Sequence, residues 1–571
     1  MAKATLRWIS GRLSWKFPYI WVGLLALGLR CPHAMVASRS LLVQHPQVDA
    51  GYHHQKALER IRGSGEKMPY FKPPYYPYLL SVAYRFSGGE EGCPGAIPYV
   101  QAGVGVLSCL WIVSLSNRLF GRKSAWGAGL LAAMYKPFLL FEGQLLASSF
   151  TLFLLLLSCW FLLRRKRMRC LGGLALGLAA GMRPNLLLCL PMVGGWQWIH
   201  SKDKASRLST AAFVVLSLLP TGVTFLRNGL VAGEWVPIST NAGINLYTAW
   251  RPEADGVSAI EPGYEWEKTM RFPKSIGFEK EGEISRYWVR RALADIKEAP
   301  GRTVALSAKK ALWFWSGREI RNNIGLHAVA SLSPVTRLPL PGFSLLLPLA
   351  LAGAAVGGVR KQAFLPLLFL LGIYLSVLPF FVCGRFRLSA VPFLFPWAGL
   401  AVSSVFERFR TGDLWTTQGF RSRCIPFLLA LMGLCLTQAP PAWIEKGKPH
   451  RDLWILAVAH LEAKDPVEAA RLARKGLEMA ERDPDLWTTL GNALLHLKDY
   501  QGAQEAYENA LTWAPDYAVA RGNLSTALLH LGRTSEALAF ARQAHQLAPH
   551  LPGPPKVERE ALRRLGRSAS R

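Results

Sequence analysis

VDAGYHHQKALERIRGSGEKMPYFKPPYYPY, residues 48–78, lies just beyond the first long apolar run of the chain. It joins a lone acid next to an expected membrane boundary (Asp49), an amphipathic helix expected over 47–63, and a proline–aromatic run with one lysine (Lys72). Gly63 and Gly65 supply the stop signal for that helix. Proline locks its own φ and restrains the residue before it, so Pro73, Pro74 and Pro77 stiffen the backbone around Lys72. Tyr75, Tyr76 and Tyr78 carry amphipathic rings suited to a headgroup layer. The stretch reads as the floor of a site at the lip of a membrane-embedded helical bundle.

The rest of the chain supplies that bundle. Of 571 residues, 51% are hydrophobic and 18% charged, which points to a polytopic α-helical membrane protein. Spans are expected at 17–37, 97–116, 124–142, 145–163, 170–182, 185–199, 208–226, 338–357, 363–382, 388–405 and 424–440. The pair 170–182 and 185–199 reads as a hairpin around Arg183-Pro184-Asn185. That choice places the N-terminus and 117–123, 164–169 (RRKRMR), 200–207, 358–362 and 406–423, all with Lys or Arg, on the cytoplasmic side. About eleven spans follow, with outer loops at 38–96 and 227–337 and the C-terminal part outside the cell (inner) membrane. In the large loop, 241–263 is rich in turn formers, and helices are expected at 284–296 and 303–315. The net charge of +30 comes in short clusters between apolar runs, not in an aromatic-interleaved basic domain, which argues against nucleic acid. Nine cysteines form no CxxC pair, and most sit inside apolar runs; Cys93 and Cys383 fall on the outer face, where a bridge is an open alternative.

After the multi-pass domain 1–440, the pattern changes to soluble helix. Ala469, Ala503 and Ala537 recur every 34 residues, as do Pro515 and Pro549. Trp487, Leu490, Gly491, Leu494, Ala503, Tyr507, Ala510 and Pro515 fit a tetratricopeptide unit, with small alanines where two helices pack closely. The expected fold class is therefore all-α, a membrane bundle followed by an α-solenoid at 450–551 that holds a protein partner. Residues 552–571 read as a basic, disordered tail.

Asp49 suits a general base or metal-holding acid at the outer boundary, with Tyr52, His53 and His54 on the next turn. Lys72 can meet a phosphate as a point charge. Arg183 in GMRPN, and Arg385 and Arg387 in CGRFRLSAVP, stand at outward helix ends where a guanidinium fork fits phosphate oxygens. Snorkelling to headgroups is the competing role for these arginines, and for Glu142 at a span end. The metal question stays open: adjacent histidines without spaced partners are ordinarily surface residues, and a divalent ion is one alternative. No Walker sequence or Rossmann fingerprint marks a nucleotide site.

With D-x-x-Y-H followed by F-K-P-P-Y-Y-P-Y, the first loop resembles that of the family-39 protein O-mannosyltransferases and their bacterial relatives, the lipid A aminoarabinose transferases among them. GLAAGMRPNLLLCLP, NAGINLYTAWRPEADG, FWSGREIRNN and GRFRLSAVPFL resemble pieces of the bacterial branch, so the similarity runs from about 17 to 405. The resemblance implies a GT-C fold and an inverting hexosyl- or mannosyltransferase-like enzyme of the cell envelope. It would take a polyprenyl-phosphate-linked sugar from the lipid bilayer to a protein, lipid or glycan. It implies Asp49 as base or acceptor anchor and Lys72 near the donor phosphate; Arg183, Arg385 and Arg387 are expected at the same phosphate, and Tyr52, His53, Glu142, Asn245, Tyr247 and Glu319 in the acceptor or sugar pocket. Two departures stand out: Asp49-Ala50 replaces a frequent Asp-Glu pair, and Trp250-Arg251 a frequent Gly-Asn. The alternatives are an O-antigen polymerase or ligase, and a non-enzymatic scaffold or transporter whose repeats recruit partners.

Overall fold

A computed structural model describes residues 2–64, 67–88, 93–325, 328–329, 333–357, 361–411, 420–439 and 448–569. The regular elements among these residues are all helical. Parts of the segments expected on the cytoplasmic side, 358–360 (with Arg360) and 412–419, and also Gly65, lie outside the described residues. The chain divides into two compact units. The first comprises 1–43, 52–259 and 278–447; the second comprises 44–51, 260–277 and 448–571.

Each expected span contains a helix in the first unit. Three helices, Pro18–Ser38, Pro94–Phe120 and Lys204–Ala232, are long and apolar enough to cross a membrane. Four shorter apolar helices, Ser148–Leu162, Phe343–Gly357, Phe364–Val377 and Cys424–Gln438, accompany them. Broken helices are tolerated at membrane depth where neighbouring protein satisfies the freed backbone groups.

The region 170–199 is decided by Pro184. A residue before proline is pushed out of the α region, and Arg183 takes φ −143°, ψ 94°, ending helix Arg169–Met182. Along that helix Gly173 and Gly177 meet the backbone of Phe213 and Ser217 so closely that a Cβ would collide. Small residues four apart let two membrane helices approach in this way. The register shows that Arg169–Met182 runs parallel to Lys204–Ala232. Helix Cys189–Ile199 runs back the other way, since Gly194 also faces Phe213 and Ser201 reaches Thr210 at 3.2 Å. The segments around 166 and 203 therefore share one end, joined by Lys166 and Asp203 at 2.5 Å. Glycines set two further crossings: Gly399 against Ser124 and Ala128, and Gly353 against Trp397.

The stretch 241–263, expected as turns, contains helix Ala242–Trp250. Its C-terminal carbonyls are met by cations from helix Pro300–Trp313: Lys310 donates to Ala249 O (3.0 Å) and Arg302 to Trp250 O (2.6 Å). Cations at a helix C-terminus offset its unsatisfied carbonyls and the dipole, a pairing invisible to a local reading. Cys93 and Cys383 are free thiols.

In the second unit, three helix pairs repeat: Pro449–Glu462 with Pro466–Met479, Pro484–His496 with Tyr500–Trp513, and Ala518–His530 with Thr534–Leu547. Ala469, Ala503 and Ala537 are fully buried. The turn within each pair needs a left-handed residue, supplied at the same repeat position by Lys464, Lys498 and Gly532 (φ 60°, 65° and 80°). The expected disordered tail is instead a helix, Gly553–Ala569. It buries Val557 and Ala561, and Arg564 donates to Leu529 O at 2.9 Å. Its basic composition masks an amphipathic face that covers the last repeat, as terminal caps of solenoids do. Residues 44–51 and 260–277, assigned from sequence to the 1–440 domain, pack with the repeats. Sequence distance hides such a grouping.

Candidate functional site

The proline run is pinned on both sides within the first unit. Thr240 N donates to Tyr70 O (2.9 Å) and Asn241 N to Phe71 O (3.0 Å), while Arg227 donates to Met68 O (2.7 Å). Lys72 follows directly. Its backbone N–H donates to the Tyr52 hydroxyl (3.3 Å), and its ammonium lies 4.7 Å from the centre of the Tyr52 ring. A ring face attracts a cation electrostatically, so the lysine is held by aromatic contact as well as by proline geometry. His53 sits edge-on to Tyr76 at 5.1 Å, and Tyr76 in turn contacts Phe150 at 6.1 Å.

Phe150 belongs to the first turn of helix Ser148–Leu162, where the second constellation begins. Arg183 donates to Ser148 Oγ (3.1 Å), Ser389 Oγ (3.3 Å) and the Arg385 carbonyl (2.7 Å). It thus ties the Gly384–Arg387 turn to the start of that helix. Arg385 and Arg183 flank Phe386, with guanidinium carbons 5.2 and 5.3 Å from its ring. The positive helix end and two arginines together favour an anion. The ring contacts His53–Tyr76 and Tyr76–Phe150 connect the helix that carries Tyr52 with the helix whose first turn Arg183 reaches.

The other expected residues are placed as follows. Arg387, buried, pairs with Glu319 at 2.7 Å and donates to the Ser316 carbonyl. Glu142 forms a fork with Arg30 (3.0 and 3.2 Å) inside the bundle. A buried charge must be paired to be tolerated, and both arginines satisfy that rule within the protein. Glu142 still lines a small cavity with Gly105, Ser108, Ser149 and Leu388. Tyr247 packs against Trp288 with ring centres 4.4 Å apart and planes tilted by 34°, and Asn245 lies on the same helix, Ala242–Trp250. Asp49 stands in the first turn of helix Val48–Ile61 and is half-buried. The residue before it, Val48, takes φ 54°, a conformation that β-branched residues rarely adopt. Strain of this kind gathers at functional positions.

Sequence reading missed Arg30, Gln101 and Ser148. Arg30 and Gln101 carried a signal, polar groups inside apolar runs; Gln101 donates to the carbonyls of Glu142 (2.8 Å) and Gln144 (2.6 Å). Ser148 carried none. Among the described residues no group of three or more His, Cys, Asp or Glu is placed to hold a metal ion.

Comparison with known proteins gives a match for the second unit: the tetratricopeptide repeat family model covers residues 484–550. These are tetratricopeptide repeats. No curated protein matches the chain. Among solved structures, the chain is similar to ArnT from Cupriavidus metallidurans in the apo state, at 14% identity over 96% of this chain and 85% of that one, TM-score 0.42. It is similar to the archaeal oligosaccharyltransferase AglB from Archaeoglobus fulgidus at 13% identity, TM-score 0.42, covering 80% of this chain and spanning 59% of AglB. MamA matches 28% of the chain over its full length, at 16% identity and TM-score 0.18.

Proposed function

We propose that the protein is an integral membrane glycosyltransferase that moves a sugar from a polyprenyl-phosphate carrier to an acceptor on the extracytoplasmic face. The observation that carries this reading is Lys72, held by prolines and by the Tyr52 ring, in the same unit as Arg183, which ties the Arg385 turn to the start of helix Ser148–Leu162. Such a group of fixed cations at the end of an apolar bundle suits the phosphate of a lipid carrier.

In this reading the acceptor hydroxyl gives its proton to Asp49 and attacks the anomeric carbon. The bond from that carbon to the phosphate oxygen breaks, the configuration inverts, and polyprenyl phosphate leaves with the bonding pair. Its developing charge is met by Lys72 and Arg385, fixed donors that need no reorganisation at the moment of reaction. Arg183 positions the Arg385 turn. The sugar arrives already activated by its phosphate linkage, so the chemistry draws on no nucleotide.

The test is transfer from radiolabelled polyprenyl-phosphate sugars by purified full-length protein. Asp49→Asn abolishes transfer, and Lys72→Met lowers it on the order of 10²-fold, as loss of one transition-state donor does. Unchanged transfer in both variants, or none in the wild type with any carrier-linked sugar, refutes the assignment.

A further inference from the structure

Residues 260–277 leave the large loop and pack within the repeat unit. Their core is helix Tyr264–Ser275. The Tyr264 backbone N–H donates to Asp485 Oδ1 at 2.9 Å, its hydroxyl bonds Asp516, and its ring lies 5.1 Å from that of Tyr517. Arg451 donates to the Pro262 carbonyl and stands 3.7 Å from Glu261, with Lys448 at 3.4 Å from the same carboxylate. At the far end Arg271 reaches the carbonyls of Asp516 (3.2 Å) and Leu547 (3.3 Å).

These contacts are ordered by the repeat itself. Arg451 and Asp485 stand one 34-residue period apart, as do Asp483 and Tyr517. Arg451 also bonds Asp483 (2.9 Å) and Asp485 (3.0 Å), and the Tyr517 hydroxyl donates to Asp485 (2.8 Å). Successive repeats thus present one connected row of charges and rings along the starts of their first helices. Gly263 takes φ 104°, and a Cβ there would run into the Asp485 carboxylate. The segment fits the row only with glycine at that point.

We propose that the ligand of the tetratricopeptide repeats is carried by this chain: residues 260–277 are the peptide that the row of Arg451, Asp485, Asp516 and Tyr517 recognises. The repeats then hold residues 260–277, and the protein partner expected from sequence is internal. The inference is independent of the sugar-transfer reading.

The experiment is hydrogen exchange on the full-length protein in detergent. A 12-residue helix does not hold itself in water, so protection at 264–275 reports docking. The wild type protects these amides. Gly263→Val and Tyr264→Ala, which leave the repeats untouched, and Asp516→Ala, on the repeat side, each lower that protection by about tenfold or more, the expected effect of losing a charge-assisted contact. Protection in Glu281–Glu298 and Tyr500–Trp513 stays within about twofold, which separates undocking from unfolding. Fast exchange at 264–275 in the wild type overturns the proposal, as does protection that survives all three substitutions.

Discussion

Glu142 offers the sharpest separation between a structural and a functional acid. It forks onto Arg30, which is fully buried and also donates to Ala133 O at 3.0 Å. At 4 Å and an effective dielectric of about 20, a unit charge pair is worth about 4 kcal/mol. Removing one partner leaves the other charge buried, at a cost of about 3–5 kcal/mol. Glu142→Leu and Arg30→Met should therefore each destabilise the protein by that amount. The double variant replaces the pair with apolar groups of similar volume and should recover most of the loss, less about 1 kcal/mol for the Ala133 hydrogen bond. Tryptophan-monitored unfolding in detergent gives all four corners of the cycle. If the double variant is as weak as the sum of the singles, or Glu142→Leu alone matches the wild type, the buried-pair reasoning is wrong. Transfer by the double variant then assigns the role. A rate within about twofold of wild type marks the pair as structural, whereas a folded but inactive protein returns Glu142 to the acceptor pocket.

Two further outcomes follow from the packing. Burial beside Asp485 pushes the Glu267 carboxyl up from 4.5 to about 7, with Arg271 opposing; Asp485 is itself raised by burial, with Arg451, Asp483, Tyr517 and the Tyr264 backbone around it. The docked segment therefore holds a proton that the free segment releases, so docking is strongest below about pH 4.5 and weakens as pH rises through about 7. The exchange protection factor of 264–275 should fall across that window, and Glu267→Gln should flatten the dependence. In the membrane unit, Gly177→Leu forces apart two helices whose backbones touch at Ser217 and should cost about 1–3 kcal/mol by overpacking. A melting temperature equal to wild type would refute that contact.

Local physics was readable wherever a feature depends on near neighbours in the chain. Gly63 (φ 72°) ends the Val48–Ile61 helix as its position suggests, and Pro184 breaks the helix to make the hairpin. The alanine period exposes the repeats because each repeat buries the same positions against its neighbour. The role of each arginine was not readable. Arg183, Arg385 and Arg387 look alike in the sequence, yet Arg387 pairs with Glu319, 68 residues before it, while Arg183 bonds Ser148 and Ser389. The same limit hid the Arg30–Glu142 fork, 112 residues apart.

By itself, the sequence determined an all-helical chain with apolar spans, a solenoid after them, and a stiff lysine-bearing loop after the first span. Periodicity, proline and glycine act over one or two turns, and the order of residues is enough to express them. Tertiary structure alone decided which charges are spent on one another, and that residues 260–277 lie on the repeats. Pairing energies in a buried setting depend on distance in space, and folding brings together groups that linear order keeps hundreds of residues apart.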